Sequence, residues 1–192
     1  WTAGKLSEDV QAALGMASQA QLFLNVVCMG LASGATAAIS QSLGALRRRR
    51  AEYYVTATCL GSLFAGLIIG AVGYAFTDLV LALTNIPAGI RPVAGKIWKI
   101  FMLALPFQYV YSATGVIFRA TRMVIPPLLV AAFVALVHAF ICIGTGLGLF
   151  GLPDWGYRGI AWAGFAAEFV GATVNCVLLL RAGHLHAASL PP

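Results

Sequence analysis

The run VQAALGMASQAQLFLNVVCMGLASGATAAISQSLGAL, from Val10 to Leu46, holds no Lys, Arg, Asp or Glu, and it ends in Arg47-Arg48-Arg49-Arg50. At about 1.5 Å of rise per residue, a helix of that length exceeds a bilayer core of about 30 Å. A soluble domain has no reason to build such a segment. The basic run that stops it also marks a membrane face. Four more apolar stretches follow. The sequence therefore predicts an all-α, polytopic membrane helix bundle of about five transmembrane helices, with its work done across or within a bilayer.

The five segments, A to E, cover about 13–43, 53–76, 99–118, 123–150 and 159–180. Their apolar runs are continuous rather than alternating, which argues against strands. Turn chemistry separates them: Thr84-Asn85-Ile86-Pro87-Ala88-Gly89 before C, and Gly151-Leu152-Pro153-Asp154-Trp155-Gly156 before E. The C–D break is so short that these two helices are expected to be antiparallel neighbours. Gly30 and Gly34 in A, Gly66 and Gly70 in B, and Gly144 and Gly148 in D have the spacing that lets helix backbones approach. Pro106 removes a backbone hydrogen bond in the middle of C and predicts a bend.

Hydrophobic residues make up 60% of the chain and charged residues 9%, against about 25% in soluble domains. The mean hydropathy is +0.89. The net charge of +6 comes from basic residues placed between apolar runs, where they meet lipid headgroups, so no nucleic-acid partner is expected. Cys28, Cys59, Cys142 and Cys176 lie inside apolar runs without metal or redox spacing and read as packing residues. Phosphate-loop and zinc-hydrolase motifs are missing, and the chain is read as a non-enzyme.

Alternating five helices puts Arg47 to Arg50, Arg119, Arg122 and Arg181 on one side. Lys5, Arg91, Lys96, Lys99 and Arg158 fall on the other. The larger group predicts the cytoplasmic face of a cell (inner) membrane, with the N-terminus outside and the C-terminus inside. An outside N-terminus beginning at Trp1 calls for one more helix ahead of it, and the sequence reads as a piece of a longer protein.

Five landmarks, in order, carry a family resemblance. Gly34-Ala-Thr-Ala-Ala-Ile-Ser-Gln41-Ser-Leu-Gly44-Ala45 is followed by the Arg47 to Arg50 loop. Trp98-Lys-Ile-Phe-Met-Leu-Ala-Leu-Pro106-Phe107 opens C. Phe118-Arg119-Ala120-Thr121-Arg122 precedes Pro126. Phe150-Gly151 leads to Gly156-Tyr-Arg-Gly159-Ile-Ala161-Trp-Ala163. Together they resemble the multidrug and toxic compound extrusion (MATE) family, except that the C–D turn lacks its usual glycine. The resemblance makes A to E helices two to six of the amino-terminal lobe of a two-lobe transporter. It implies secondary active antiport, exporting amphipathic or cationic drug-like compounds in exchange for H+ or Na+, with no further cofactor. The complementary lobe would come from the rest of a longer chain or from a second copy.

Glu168 is the one carboxylate deep inside a predicted helix. A charge at mid-bilayer costs at least about 2.5 kcal/mol, so such a group faces a cavity, takes a partner or stays protonated. His138 is the titratable group inside D. In several MATE members the amino-lobe cation site uses an acid on helix one, an Asn and an Asp on helix five, and a Thr on helix six. The resemblance sets the last three on His138, Cys142 and Gly164, none of the family's type. Glu168 lies four residues past Gly164, on the same helix face. The expectation is that Glu168 and His138 form a protonatable replacement pair; structural roles for both stay open. Asn25, Gln108 and Tyr111 are the candidate cavity residues, Gln108 being flanked by Phe107, Tyr109 and Tyr111. Gln19, Gln21, Asn25, Gln41, Gln108 and Asn175 read first as interhelical bridges, and Trp98, Trp155 and Trp162 as interface anchors.

Two other readings remain. A lipid-linked saccharide flippase of the same superfamily would line its cavity with several intramembrane Arg or Lys; here all of them sit at or near helix ends. A truncated, non-transporting membrane fragment is the other.

Overall fold

The computed structural model describes residues 8–84 and 86–183. Lys5 and Asn85 lie outside the described residues. Among the described residues, five helices are long and apolar enough to cross a membrane. They are α1 (Glu8–Gly44), α2 (Arg48–Ala75), α4 (Arg91–Ala120), α5 (Ile125–Leu147) and α6 (Tyr157–Arg181). A short helix, α3 (Thr77–Leu83), follows α2 after a break at Phe76 and was not foreseen. Segment C also starts earlier than expected. Pro92 sits in the first turn of α4, where its missing N–H costs nothing, and the helix takes in Lys96 ahead of the expected start at Lys99.

The helix ends follow from local chemistry. Glu8 and Asp9 occupy the first turn of α1, where negative charge suits the helix dipole. At its far end the amide of Arg47 donates to Ser42 O at 2.9 Å and that of Leu46 to Leu43 O at 3.0 Å. This is a Schellman cap, with Leu46 in the left-handed position at φ 58°. The α4–α5 turn repeats the device. Arg122 takes φ 62° in the turn that lacks the family's glycine, and Met123 N–H closes onto Phe118 O at 2.8 Å.

Helix α4 is the most buried of the five spans and packs against α1, α2 and α6. Its contact with α2 is the tightest. A Cβ added at Gly66 would lie 2.6 Å from Pro106 Cα, and one at Gly70 would lie 2.6 Å from Met102 O. Pro106 has no N–H, so Met102 O loses its partner four residues on. The bare backbone of Gly70 lies against that carbonyl. Trp98 is buried rather than interfacial. Its Nε1 donates to Gly73 O at 3.0 Å, which corrects the anchor reading and extends the α2–α4 seam by a turn.

Two other expectations are corrected. Nothing described approaches Gly30 or Gly34, while Gly144 and Gly148 face Leu152 and Asp154 of their own loop. Of these three pairs, the α2 pair alone meets another helix among the described residues. Nor are C and D neighbours along their length: α5 leaves the short turn and packs on α6 instead. There Val130 and Val134 meet Ala167, with Tyr111 against them.

Buried clusters sit at both ends of the bundle. Ala13, Ile90, Ala94, Ile97 and Ala161 meet at one. Ile39, Val55, Ile117, Phe118 and Leu179 meet at the other. This second end carries Arg47 to Arg50, Arg119, Arg122 and Arg181, so the grouping of basic residues read from the sequence is a spatial one. Hydroxyls inside the spans mostly bond a carbonyl four residues back, as Thr36 does to Ala32 O at 2.9 Å and Ser42 to Ala38 O at 2.7 Å.

The α2–α4 seam leaves no room for a methyl group at Gly70. Substitution Gly70→Ala is expected to destabilise the intact protein by about 1–3 kcal/mol, the usual cost of overpacking. Thermal unfolding in detergent measures this. An unchanged melting temperature would contradict the packing described.

Candidate functional site

Helix α6 presents Glu168 on the same face as Gly171 and Asn175, towards α4 and α5. The Gly171 position is decisive: a Cβ there would lie 2.8 Å from Tyr111 Cδ2 and 3.2 Å from Val134 Cγ2. The Tyr111 ring therefore lies across the α6 backbone, one turn from Glu168 and within its electrostatic reach. One turn beyond Gly171, Asn175 is 1% exposed. Its Nδ2 donates to Thr114 Oγ1 at 3.0 Å, and that hydroxyl donates to Tyr111 O at 2.8 Å.

Glu168 is half-buried. Its Oε2 is shut off from solvent and has no hydrogen-bond partner among the described residues, a condition shared with Asn175 Oδ1. An unpaired buried carboxylate oxygen is costly unless a proton, a cation or water reaches it.

The other sequence candidates are dispersed. His138 is exposed on α5, and no hydrogen bond or ion pair joins it to Glu168. Asn25 is half-buried on α1 and bonds to no described residue. Gln108 accepts from Gln21 Nε2 at 3.0 Å, so it bridges α4 to α1 as well as flanking the aromatic residues beside it. Of the named set, Glu168 and Tyr111 are the two brought together.

The sequence reading missed an aromatic strip on the adjoining face of α4 and α6. The Phe107 ring meets Phe165 at 5.5 Å and Phe169 at 5.1 Å, both edge-on. Phe165 in turn meets Trp162 at 5.2 Å. The strip opens into a cavity of about 900 Å³ at the α5–α6 end, lined by Asp154, Trp155, Tyr157, Arg158, Trp162 and Phe165 among others. The signal was present in the spacing of Trp162, Phe165 and Phe169 at three and four residues, one face of a helix. Asp154 Oδ1 accepts from the Gly156 amide at 2.9 Å and shapes the loop over this cavity. Arg158 lies 6.0 Å from the centre of the Tyr157 ring. Apolar walls with two opposite charges at the rim suit an amphipathic guest.

Known proteins share both sequence and fold. The family model described as MatE matches residues 1–143. "Probable multidrug resistance protein YoeA" of Bacillus subtilis (strain 168) is 26% identical over 156 residues, which are 81% of this chain and 34% of that protein. "Probable multidrug resistance protein NorM" of Thermotoga maritima is 23% identical over 178 residues, 93% of this chain and 38% of that one. Three solved structures match the whole chain at 15% identity. They are a MATE in the bent conformation, with a TM-score of 0.91, and inward-facing and outward-facing MATE family multidrug transporters, each at 0.90. The chain covers 43%, 43% and 42% of those structures. It therefore spans well under half the length of the relatives it matches. With the family model covering most of its sequence, and its helices following those of MATE structures from end to end, the chain belongs to the MatE family.

Proposed function

We propose that this chain is the amino-terminal lobe, from the second helix onward, of a multi-pass inner-membrane antiporter. On this reading the whole protein exports amphipathic organic cations against an inward flow of protons. Arg47 to Arg50, Arg119, Arg122 and Arg181 face the cytoplasm. On this reading a further helix and a second lobe complete the transporter, supplied by the rest of a longer chain or by a second copy.

The observation that carries the reading is the unpaired Oε2 of Glu168 on the helix whose adjoining face carries Phe165 and Phe169 of the aromatic strip. Deprotonated, this carboxylate attracts an organic cation lodged against Phe165, Phe169 and Phe107. Protonated, it is neutral and releases the cation. One group thus exchanges two cations by competition, which is the requirement of antiport. The positions that the resemblance sets for the family's Asn, Asp and Thr cation ligands hold His138, Cys142 and Gly164 here, which favours the proton. The cavity at the α5–α6 end is the mouth through which the guest reaches the strip. Its single Arg158, set with Asp154, offers little to a pyrophosphate, so the drug reading is favoured over a saccharide flippase.

The test uses the intact protein in liposomes, with an imposed pH gradient and a fluorescent organic cation. Glu168→Gln should slow gradient-driven transport about tenfold or more, a barrier rise of about 1.4 kcal/mol. Binding of the cation to the de-energised protein should weaken as well. Unchanged gradient-driven transport would remove Glu168 from coupling. Loss of transport with sodium-driven exchange still intact would replace the proton by sodium.

Trp162→Ala should raise the half-saturating concentration of aromatic cations about two- to tenfold, the scale of one aromatic–aromatic contact. Small quaternary ammonium ions, which need less aromatic surface, should change less. Equal effects on both classes would detach the cavity from recognition.

A further inference from the structure

The end of the bundle opposite the large cavity holds a separate recess. It has about 360 Å³ and lies between the last turns of α1 and the first turns of α2. Gln41, Ser42, Arg47, Arg50 and Tyr54 supply its polar lining. The Ser42 hydroxyl is spent on Ala38 O. The Gln41 amide, the Tyr54 phenol and the Arg47 and Arg50 guanidiniums make no hydrogen bond or ion pair with a described residue. Arg50 instead stands over the Tyr54 ring, 5.9 Å from its centre. Arg47 is the N-cap of α2 and offers no capping side chain, so the positive end of that helix also opens here.

Two guanidiniums, an amide and a phenol converge with no acid among the lining residues. Together they make a set of donors for an anion with several oxygens. A second observation says what kind of anion. Leu46 directly precedes Arg47, is 87% exposed, and holds a left-handed backbone that a glycine would adopt at lower cost. A leucine in that position, beside the end of a charge-free span, belongs in acyl chains rather than water. Val124 and Ile125 are likewise exposed next to Arg119 and Arg122 on the same membrane face.

We propose that Arg47, Arg50, Gln41 and Tyr54 form a binding site for the phosphodiester headgroup of an anionic phospholipid, with Leu46 seated among its chains. Arg47 and Arg50 hold the phosphate oxygens through charge-assisted hydrogen bonds, and Gln41 and Tyr54 complete the ring of donors. The site ties the α1–α2 corner to one leaflet. Basic recesses between helices at a membrane face are suited to this task. Arg49 lines neither this recess nor its neighbour around Arg48 and Glu52, so it reports on diffuse surface charge alone.

The experiment titrates the delipidated intact protein, in neutral detergent, with phosphatidylglycerol and counts bound lipid by native mass spectrometry. Phosphatidylcholine is titrated in parallel, and glycerol 3-phosphate is tried as a soluble competitor. Arg50→Gln is expected to weaken phosphatidylglycerol binding about tenfold or more, the scale of a hydrogen bond between charged groups. Arg47→Gln should do the same and serves should the first variant misfold. Arg49→Gln should change binding by less than about threefold, since a solvent-screened charge contributes little. Glycerol 3-phosphate should not displace the lipid. Equal losses in Arg49→Gln and Arg50→Gln would overturn the site in favour of diffuse charge. Equal binding of phosphatidylcholine, which carries the same phosphodiester beside a cationic choline, would overturn the anionic lipid as the ligand, and displacement by glycerol 3-phosphate at lipid-like concentrations would overturn the lipid in favour of a free phosphate.

Discussion

In a membrane, a backbone carbonyl that loses its helix partner finds no water to replace it. Pro106 creates that problem at the centre of α4 by leaving Met102 O without a donor four residues on. Helix α2 brings the Gly70 backbone directly onto that oxygen, close enough for the weak Cα–H contacts that helix interfaces use. The approach is possible only because Gly66 and Gly70 carry no side chain. Proline and glycine, each unfavourable inside a helix alone, become compatible as a pair. The same close approach brings Trp98 within reach of Gly73 O, so one seam is fixed at three successive turns.

The candidate site inherits its shape from this hub. On one side of α4, the Tyr109 hydroxyl donates to Leu24 O at 2.7 Å and Gln108 accepts from Gln21, fixing α1. On the other, Thr114 and Asn175 fix α6. Between those ties, Tyr111 and Phe107 point from α4 towards α6, and Gly171 leaves the space that Tyr111 fills. The neighbourhood of Glu168 is thus built from residues whose positions are set by hydrogen bonds elsewhere on the same two helices. A carboxylate held in such a frame changes its surroundings by charge rather than by movement of its neighbours.

Segments defined by composition were legible from sequence, because the bilayer imposes a length and forbids charge over it. The grouping of arginines at one end was legible for the same reason. Contacts were less so. Three small-residue pairs had the same spacing, yet only Gly66 and Gly70 meet another helix, since spacing says that a backbone can be approached and not by what. The short C–D turn suggested adjacent helices, but a turn fixes only where chains meet, and α5 diverges to pack on α6. Trp98 looked like an interface anchor by residue type and proved to be a buried donor. The aromatic strip escaped notice because Phe107 comes from α4 and the other rings from α6. The pairing of Glu168 with His138 rested on helix register alone, and register leaves open the rotation of α5 that exposes the imidazole.

What separates Glu168 from the other polar residues inside the spans is the state of its oxygens. Gln108 shares a hydrogen bond with Gln21. Asn175 also leaves one oxygen unpaired, but it is a neutral amide with its nitrogen bonded, so the deficit is that of one acceptor. Interhelical bonds between neutral groups contribute about 0.6 kcal/mol on average, and a lost one is easily absorbed. A carboxylate at membrane depth costs several times as much when nothing meets it. A residue serving only to join helices would be better as glutamine, which keeps two donors and carries no charge. The acid makes physical sense where its proton can be exchanged for another cation. That is the reason the coupling role is proposed for Glu168, and a structural role for the amides around it.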